Sequence, residues 1–157
     1  MDVNPDPKSA IGVLVAHAPV AYLAFFVLGA MLHYSYPVPL MGEELAHVIG
    51  VTLEVVGSLL ILFSQASIRK FHKLIELGEP INFSLGPYRF CRNPTYLGVA
   101  LLLIGVGFLA NALAIVVSVL IALFFVGEVF VKREEKLLSE KYGDTYTTYR
   151  HKVRRWM

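Results

Sequence analysis

The chain has 157 residues, a formal charge of +2, 56% hydrophobic and 17% charged residues, and a mean hydropathy of +0.61. A soluble domain of that length is nearer half apolar and a quarter charged; the excess here falls in blocks, which points to an integral membrane protein. The small net charge argues against a nucleic-acid partner, and Cys91, the single cysteine, excludes an internal disulfide.

The opening MDVNPDPKSA carries two aspartates against one lysine. The apolar run behind it exceeds the ~7–15 residues of a signal-peptide core, so it reads as a retained helix. Residues 11–32 are long enough to cross the hydrocarbon, which takes about 20 residues at 1.5 Å each. Residues 45–63 form a second span, interrupted only by His47 and Glu54. The segment 64–93 contains LGEPINFSLGPYRF, dense in Gly and Pro, and reads as an irregular loop. Residues 94–110 form a third, short span. Asn111 then makes the tip of a tight hairpin before a fourth span over 112–131.

The tail, residues 132–157, continues helix four through VKREEKLLSEKY until Gly143, which suits a helix-terminating position. In the last segment Tyr146, Tyr149, Val153 and Trp156 recur at helical spacing, with Arg150, Lys152, Arg154 and Arg155 on other faces. That pattern suits a helix lying on a membrane surface. The expected fold is therefore one all-α domain: a four-span helical bundle with a helical tail.

Lysine and arginine set the orientation. All 14 fall before the first span, between spans two and three, or after span four. By the positive-inside rule both termini are cytoplasmic, and the size of the chain fits a bacterial inner membrane.

The stretch GPYRFCRNPTYLG, residues 86–98, is the cytoplasmic entry to helix three. Pro94 suits the first helical turn and Asn93 suits the N-cap. A helix start exposes unpaired N–H groups and the positive dipole end, which favour an anion, and Arg89 and Arg92 add fixed charge. Capping by Asn93 and anchoring to headgroups by the arginines is the competing reading. A second polar cluster lies at the other cytoplasmic helix end. Glu128 is expensive in an apolar helix unless partnered or facing a cavity. Glu135 lies two turns further on the same face, Glu134 about 100° away, and Arg133 beside them. A solvated face with i,i+4 pairs competes there. Glu54 divides evenly between packing and function, and His17 and His47 read as structural. Gly105 and Gly107 suit close helix approach, with close ligand approach the lesser reading.

Together GPYRFCRNPTYLG, GVG, REEKLL, YGDTY and TYRHKVRRW resemble the integral membrane methyltransferases, the group that includes isoprenylcysteine carboxyl methyltransferases and phospholipid N-methyltransferases. The resemblance runs from residue 77 to 156. It implies a cytosol-facing pocket for S-adenosyl-L-methionine and a lipid-like or small hydrophobic acceptor entering from the bilayer. The family's R-H-P-x-Y-x-G pattern falls on Arg92, Asn93, Pro94, Tyr96 and Gly98, with asparagine in place of the histidine. Its G-x-G element corresponds to Gly105 and Gly107, its paired glutamates to Glu134 and Glu135 after Arg133, and its closing aromatic pair to Tyr146 and Tyr149.

On that resemblance the cofactor-binding residues are Tyr88, Arg89, Arg92, Asn93, Pro94, Tyr96, Gly98, Gly105, Gly107, Glu134 and Glu135. The catalytic ones are Arg133, Glu134 and Glu128, and no metal is implied. The chemistry agrees: the cofactor's carboxylate suits the helix start, its ammonium and ribose suit glutamates, and its adenine suits tyrosines. The acceptor group is left open among carboxylate, amine and thiol. The small helix count fits either a simple acceptor or a homodimer. A non-catalytic membrane adaptor and a reductase-type relative of the same fold are the alternatives.

Overall fold

The computed structural model describes residues 7–156, with side chains from Ala18 onward. The side chain of His17 and the extreme N-terminus lie outside what is described. The helices are α1 (Pro7–Ser35), α2 (Glu43–Glu76), α3 (Pro94–Leu109), α4 (Leu113–Val126) and α5 (Lys132–Lys152). One 3₁₀ turn (Gly86–Arg89) precedes α3, and one π-helical turn (Gly127–Val131) joins α4 to α5. Among the described residues three helical stretches are long and apolar enough to cross a membrane, in α1, in α2 and in Leu113–Lys152, which runs from α4 through the π-helical turn into α5; α3 is a shorter apolar helix of 16 residues.

Lateral order is α2, α3, α4, α1, and small residues set it. A Cβ on Gly57 would lie 2.9 Å from the Gly98 carbonyl oxygen, and one on Gly105 would lie 3.0 Å from that of Gly50. The spacing of seven on both helices makes α2 and α3 meet along an antiparallel glycine seam. Gly107 approaches Val116 of α4, and Gly29 of α1 sits 2.9 Å, by its would-be Cβ, from the Ala114 oxygen. Close backbone approach is how membrane helices gain packing where lipid offers no hydrophobic driving force. The Glu54 stem lies along the seam against Gly105. His47 Nδ1 is 2.7 Å from the Glu43 oxygen of its own helix. Gly105→Val should overpack the seam by about 1–3 kcal/mol and lower the melting temperature in detergent.

Between α1, α3 and α4 the core is Ala18, Tyr22, Tyr96, Ala100, Ile115, Val119, Ala122 and Val126. The outward faces keep large apolar residues, among them Val48, Leu62 and Phe124. Such a surface fits a multi-pass membrane protein rather than a solvated one.

Two helix ends depart from the sequence reading. Residues 64–76 are not loop, because α2 continues without a break to Glu76. Ser64 and Ser67 donate back to Leu60 and Phe63 oxygens at 2.6 and 2.8 Å, so they do not compete for the backbone. The helix stops at Gly78 (φ 74°), where Gly78 N–H donates to Ile75 and Glu79 N–H to Leu74, a Schellman ending.

At the hairpin tip Asn111 (φ 48°) closes α3 in the same way, with N–H bonds from Asn111 to Phe108 and Ala112 to Gly107. Its side chain also accepts from Leu40 and Met41 N–H at 2.8 and 3.2 Å and donates to the Met41 oxygen at 2.9 Å. It thereby ties the hairpin to the α1–α2 connection. Asn111→Ala loses three hydrogen bonds and retains the positive φ, so thermal unfolding should report a loss of about 2–3 kcal/mol.

Candidate functional site

The site forms where the start of α3, the loop before it and α5 meet. Pro94 occupies the first turn of α3 and is fully buried. Asn93 holds the N-cap position, yet its side chain makes no capping hydrogen bond, contrary to the sequence reading. It is buried at 8% exposure, and its Nδ2 has no partner. Arg92 beside it is nearly buried, and its Nε is likewise unpartnered. A buried donor without an acceptor costs about 1–3 kcal/mol. Both belong to residues that line a single cavity.

Facing them is α5. Gly143 (φ 54°) breaks this helix in two, as its sequence position predicts. Glu135 is 3% exposed; its Oε1 accepts from Arg155 Nε at 3.2 Å and its Oε2 from Arg155 Nη2 at 2.8 Å, while Arg92 Nη2 also lies 3.2 Å from Oε1. Both oxygens are thus committed to arginines, which hold the Glu135 carboxylate in place at the cavity wall. Glu134, one residue earlier, points elsewhere. The Tyr96 hydroxyl donates to its Oε2 at 3.1 Å. Burial raises the Glu134 carboxyl above the ordinary range; the Tyr96 bond opposes this, and the charge of Glu135 adds to it.

Aromatic rings close the remaining sides. Phe83 of the connecting loop stands 5.1 to 5.5 Å, centre to centre, from Tyr142, Tyr146, Tyr149 and Phe71. The Tyr149 hydroxyl donates to the Tyr88 oxygen at 2.7 Å. Burial pushes the Tyr88 phenol up to about 12, so it remains a neutral donor. Tyr146 and Tyr149 of the tail's aromatic stripe therefore pack inward on Phe83. Trp156 turns back to cover Gly127 in the π-helical turn.

Two adjoining cavities result. A polar one of about 80 Å³ is lined by Phe83, Tyr88, Arg92, Asn93, Glu134, Glu135, Leu138, Tyr146 and Tyr149. An apolar one of about 380 Å³ lies between the C-terminal end of α2 and α5, lined by Ile68, Phe71, Leu85, Tyr88, Glu134 and Tyr142 among others. The larger is within the ~300–1,000 Å³ range of ligand pockets. Glu134 borders both.

Of the sequence-predicted residues, Tyr88, Arg92, Asn93, Glu134 and Glu135 come together here, with Pro94 and Tyr96 directly behind. Arg89 does not join them; it is exposed, with its guanidinium 4.5 Å from the Phe90 ring. Arg133 is exposed on α5, and Glu128 stays at the surface, paired with Lys132 and, at 3.8 Å, with Arg155 Nη1. Gly98, Gly105 and Gly107 are taken up by helix packing and line neither cavity. The sequence reading missed Phe83, Leu138 and Arg155. Phe83 is one of three aromatics in the Gly- and Pro-rich loop, with Tyr88 and Phe90, and nothing local singles it out.

Fold and site together define an all-helical membrane protein with a polar and aromatic pocket at one end of the bundle. A family model described as phospholipid methyltransferase matches residues 45–145, and the chain belongs to that family. A Haemophilus influenzae protein, described only as uncharacterized, is 38% identical over 63 residues, covering 40% of this chain and 98% of that protein. No solved structure matches. The family match ends at residue 145, so Tyr146, Tyr149 and Arg155 enter the site from beyond it.

Proposed function

We propose that the protein transfers a methyl group from S-adenosyl-L-methionine to a lipid-like acceptor dissolved in the bilayer. The observation that carries this reading is the pair of unpartnered buried donors, Arg92 Nε and Asn93 Nδ2, in one cavity with the Glu134 carboxylate. An α-amino acid presents the complementary set, a carboxylate for the donors and an ammonium for the glutamate. The small polar cavity suits that end of the cofactor, and the adjoining apolar cavity suits a nucleoside between rings such as Phe71, Tyr88 and Tyr142.

When bound, the cofactor supplies a methyl group activated by a positive sulfonium. This chain's residues orient and shield. Arg92 and Asn93 fix the carboxylate, Glu134 holds the ammonium, and the Tyr96 hydroxyl fixes Glu134 in turn. Phe83, Tyr146 and Tyr149 exclude water from one side. Proximity and orientation of this kind supply much of the rate in a two-substrate reaction. The distribution of basic residues supports a cytosolic opening, and the apolar outer faces support lateral entry of the acceptor. Amine, carboxylate and thiol acceptors all fit this scheme.

Purified protein in detergent, given methyl-labelled cofactor and a total bacterial lipid extract, should move label into the organic phase. The label should stay aqueous with Asn93→Ala. Label remaining aqueous with the folded wild type as well would count against transfer to a lipid.

A further inference from the structure

We propose that Arg155, which lines neither cavity, is a positioning residue of the donor site, and that the segment 153–156 is a strap that holds the site in shape. This rests on the donor-site reading above. After Lys152 the chain leaves the helix, with Val153 extended (ψ 132°), and returns to the start of α3. There the Arg92 N–H donates to the Arg154 oxygen at 3.0 Å, and the Cys91 thiol to the Arg155 oxygen at 3.3 Å. Trp156 then seats against Gly127, where a would-be Cβ lies 3.1 Å from its ring. Backbone, thiol and indole contacts thus fix the strap at three points around one side chain.

That side chain grips Glu135 with two N–H groups, and Arg92 Nη2 meets the same Oε1 that Arg155 Nε holds. Arg92 also donates to the Arg150 oxygen at 3.4 Å. The order Arg155, Glu135, Arg92 is a relay of fixed geometry: with Glu135 immobilised, the Arg92 fork is turned so that Nε stays free of protein partners. Without Arg155 the carboxylate is free to take Arg92 differently, Nε included, and the donor site loses its preorganised acceptor contact. A two-pronged grip needs a planar guanidinium, so lysine replaces it only in part.

The chain carries its own reporter. Cys91 is the single cysteine, 3% exposed, and lies directly under the strap. Calorimetric titration with S-adenosylhomocysteine would compare full-length wild type with Arg155→Gln, Arg155→Lys, Glu135→Gln and the Arg155→Gln/Glu135→Gln pair, each checked for a cooperative melt. Arg155→Gln should weaken binding about tenfold or more, Arg155→Lys less, and Arg155→Gln should add little once Glu135→Gln is present. Binding by Arg155→Gln equal to wild type, or full additivity in the pair, would overturn the positioning role.

Maleimide labelling of Cys91 in the same samples needs no ligand. It should speed up about tenfold in Arg155→Gln if the strap is held as described. Unchanged labelling would overturn the strap. A wild type that binds nothing while Arg155→Gln accelerates labelling would sink the donor-site reading and leave the strap standing.

Discussion

Glu134→Gln is expected to weaken S-adenosylhomocysteine binding by about 100-fold while leaving thermal stability unchanged or slightly improved. Removing one partner from a buried charged contact costs about 2–5 kcal/mol, which sets that scale. The stability half follows from the carboxyl's raised pKa, since a buried acid held above its ordinary range is charged at a cost to the fold. Glutamine keeps an oxygen for the Tyr96 hydroxyl and removes only the charge. Loss of binding without loss of stability separates a ligand-holding residue from a structural one.

The same shift fixes a pH dependence. Because the folded value is raised, protonation sets in above the ordinary carboxylate range as pH falls, and the neutral form no longer attracts an ammonium. Wild-type affinity should therefore fall on acidification at a pH higher than an exposed glutamate would give. In Glu134→Gln that limb should disappear. A limb that persists in Glu134→Gln would assign it to another group.

Arg92→Ala is the second large effect, and its signature is opposite in stability. Arg92 touches Glu135 at 3.2 Å and the Arg150 oxygen at 3.4 Å, and its backbone N–H meets Arg154. Breaking a buried ion pair costs about 3–5 kcal/mol; Arg155 still holds Glu135, so the lower end is expected. The melting temperature should drop and binding should be lost together. Arg92→Lys should recover much of the stability, because an ammonium still meets Glu135. It should recover little binding, because the free Nε donor is absent. Lysine binding as well as arginine would show that charge alone serves the site.

Local chemistry accounts for what could be read from the chain. Pro94 and Gly143 sit at helix ends because one lacks an N–H and the other tolerates positive φ, and both operate within a few residues. The apolar blocks and the one-sided distribution of lysine and arginine are likewise visible in one dimension. What escaped depends on distance along the chain. Arg155 reaches Glu135 across 20 residues through the broken helix. Phe83 acquires its aromatic neighbours only when the tail folds over it. Glu134 and Glu135 are adjacent and chemically alike, and only packing tells which one Arg155 grips and which one borders both cavities.

The glycines illustrate the converse. Gly98 and Gly105 carry the family resemblance in sequence, yet in space they answer Gly57 and Gly50 across α2 and α3. A motif records that a position matters and leaves its physical role to the neighbours. Continuation of α2 to Glu76 follows the same logic: Phe71 gains Phe83 and Tyr142 as partners only in the folded chain.

The most direct measurement is calorimetric titration of the detergent-purified protein with S-adenosylhomocysteine, wild type beside Glu134→Ala and Asn93→Ala. Saturable binding by the wild type that collapses in both variants is the predicted result. A folded, monodisperse wild type that takes up no S-adenosylhomocysteine would contradict the account at its centre.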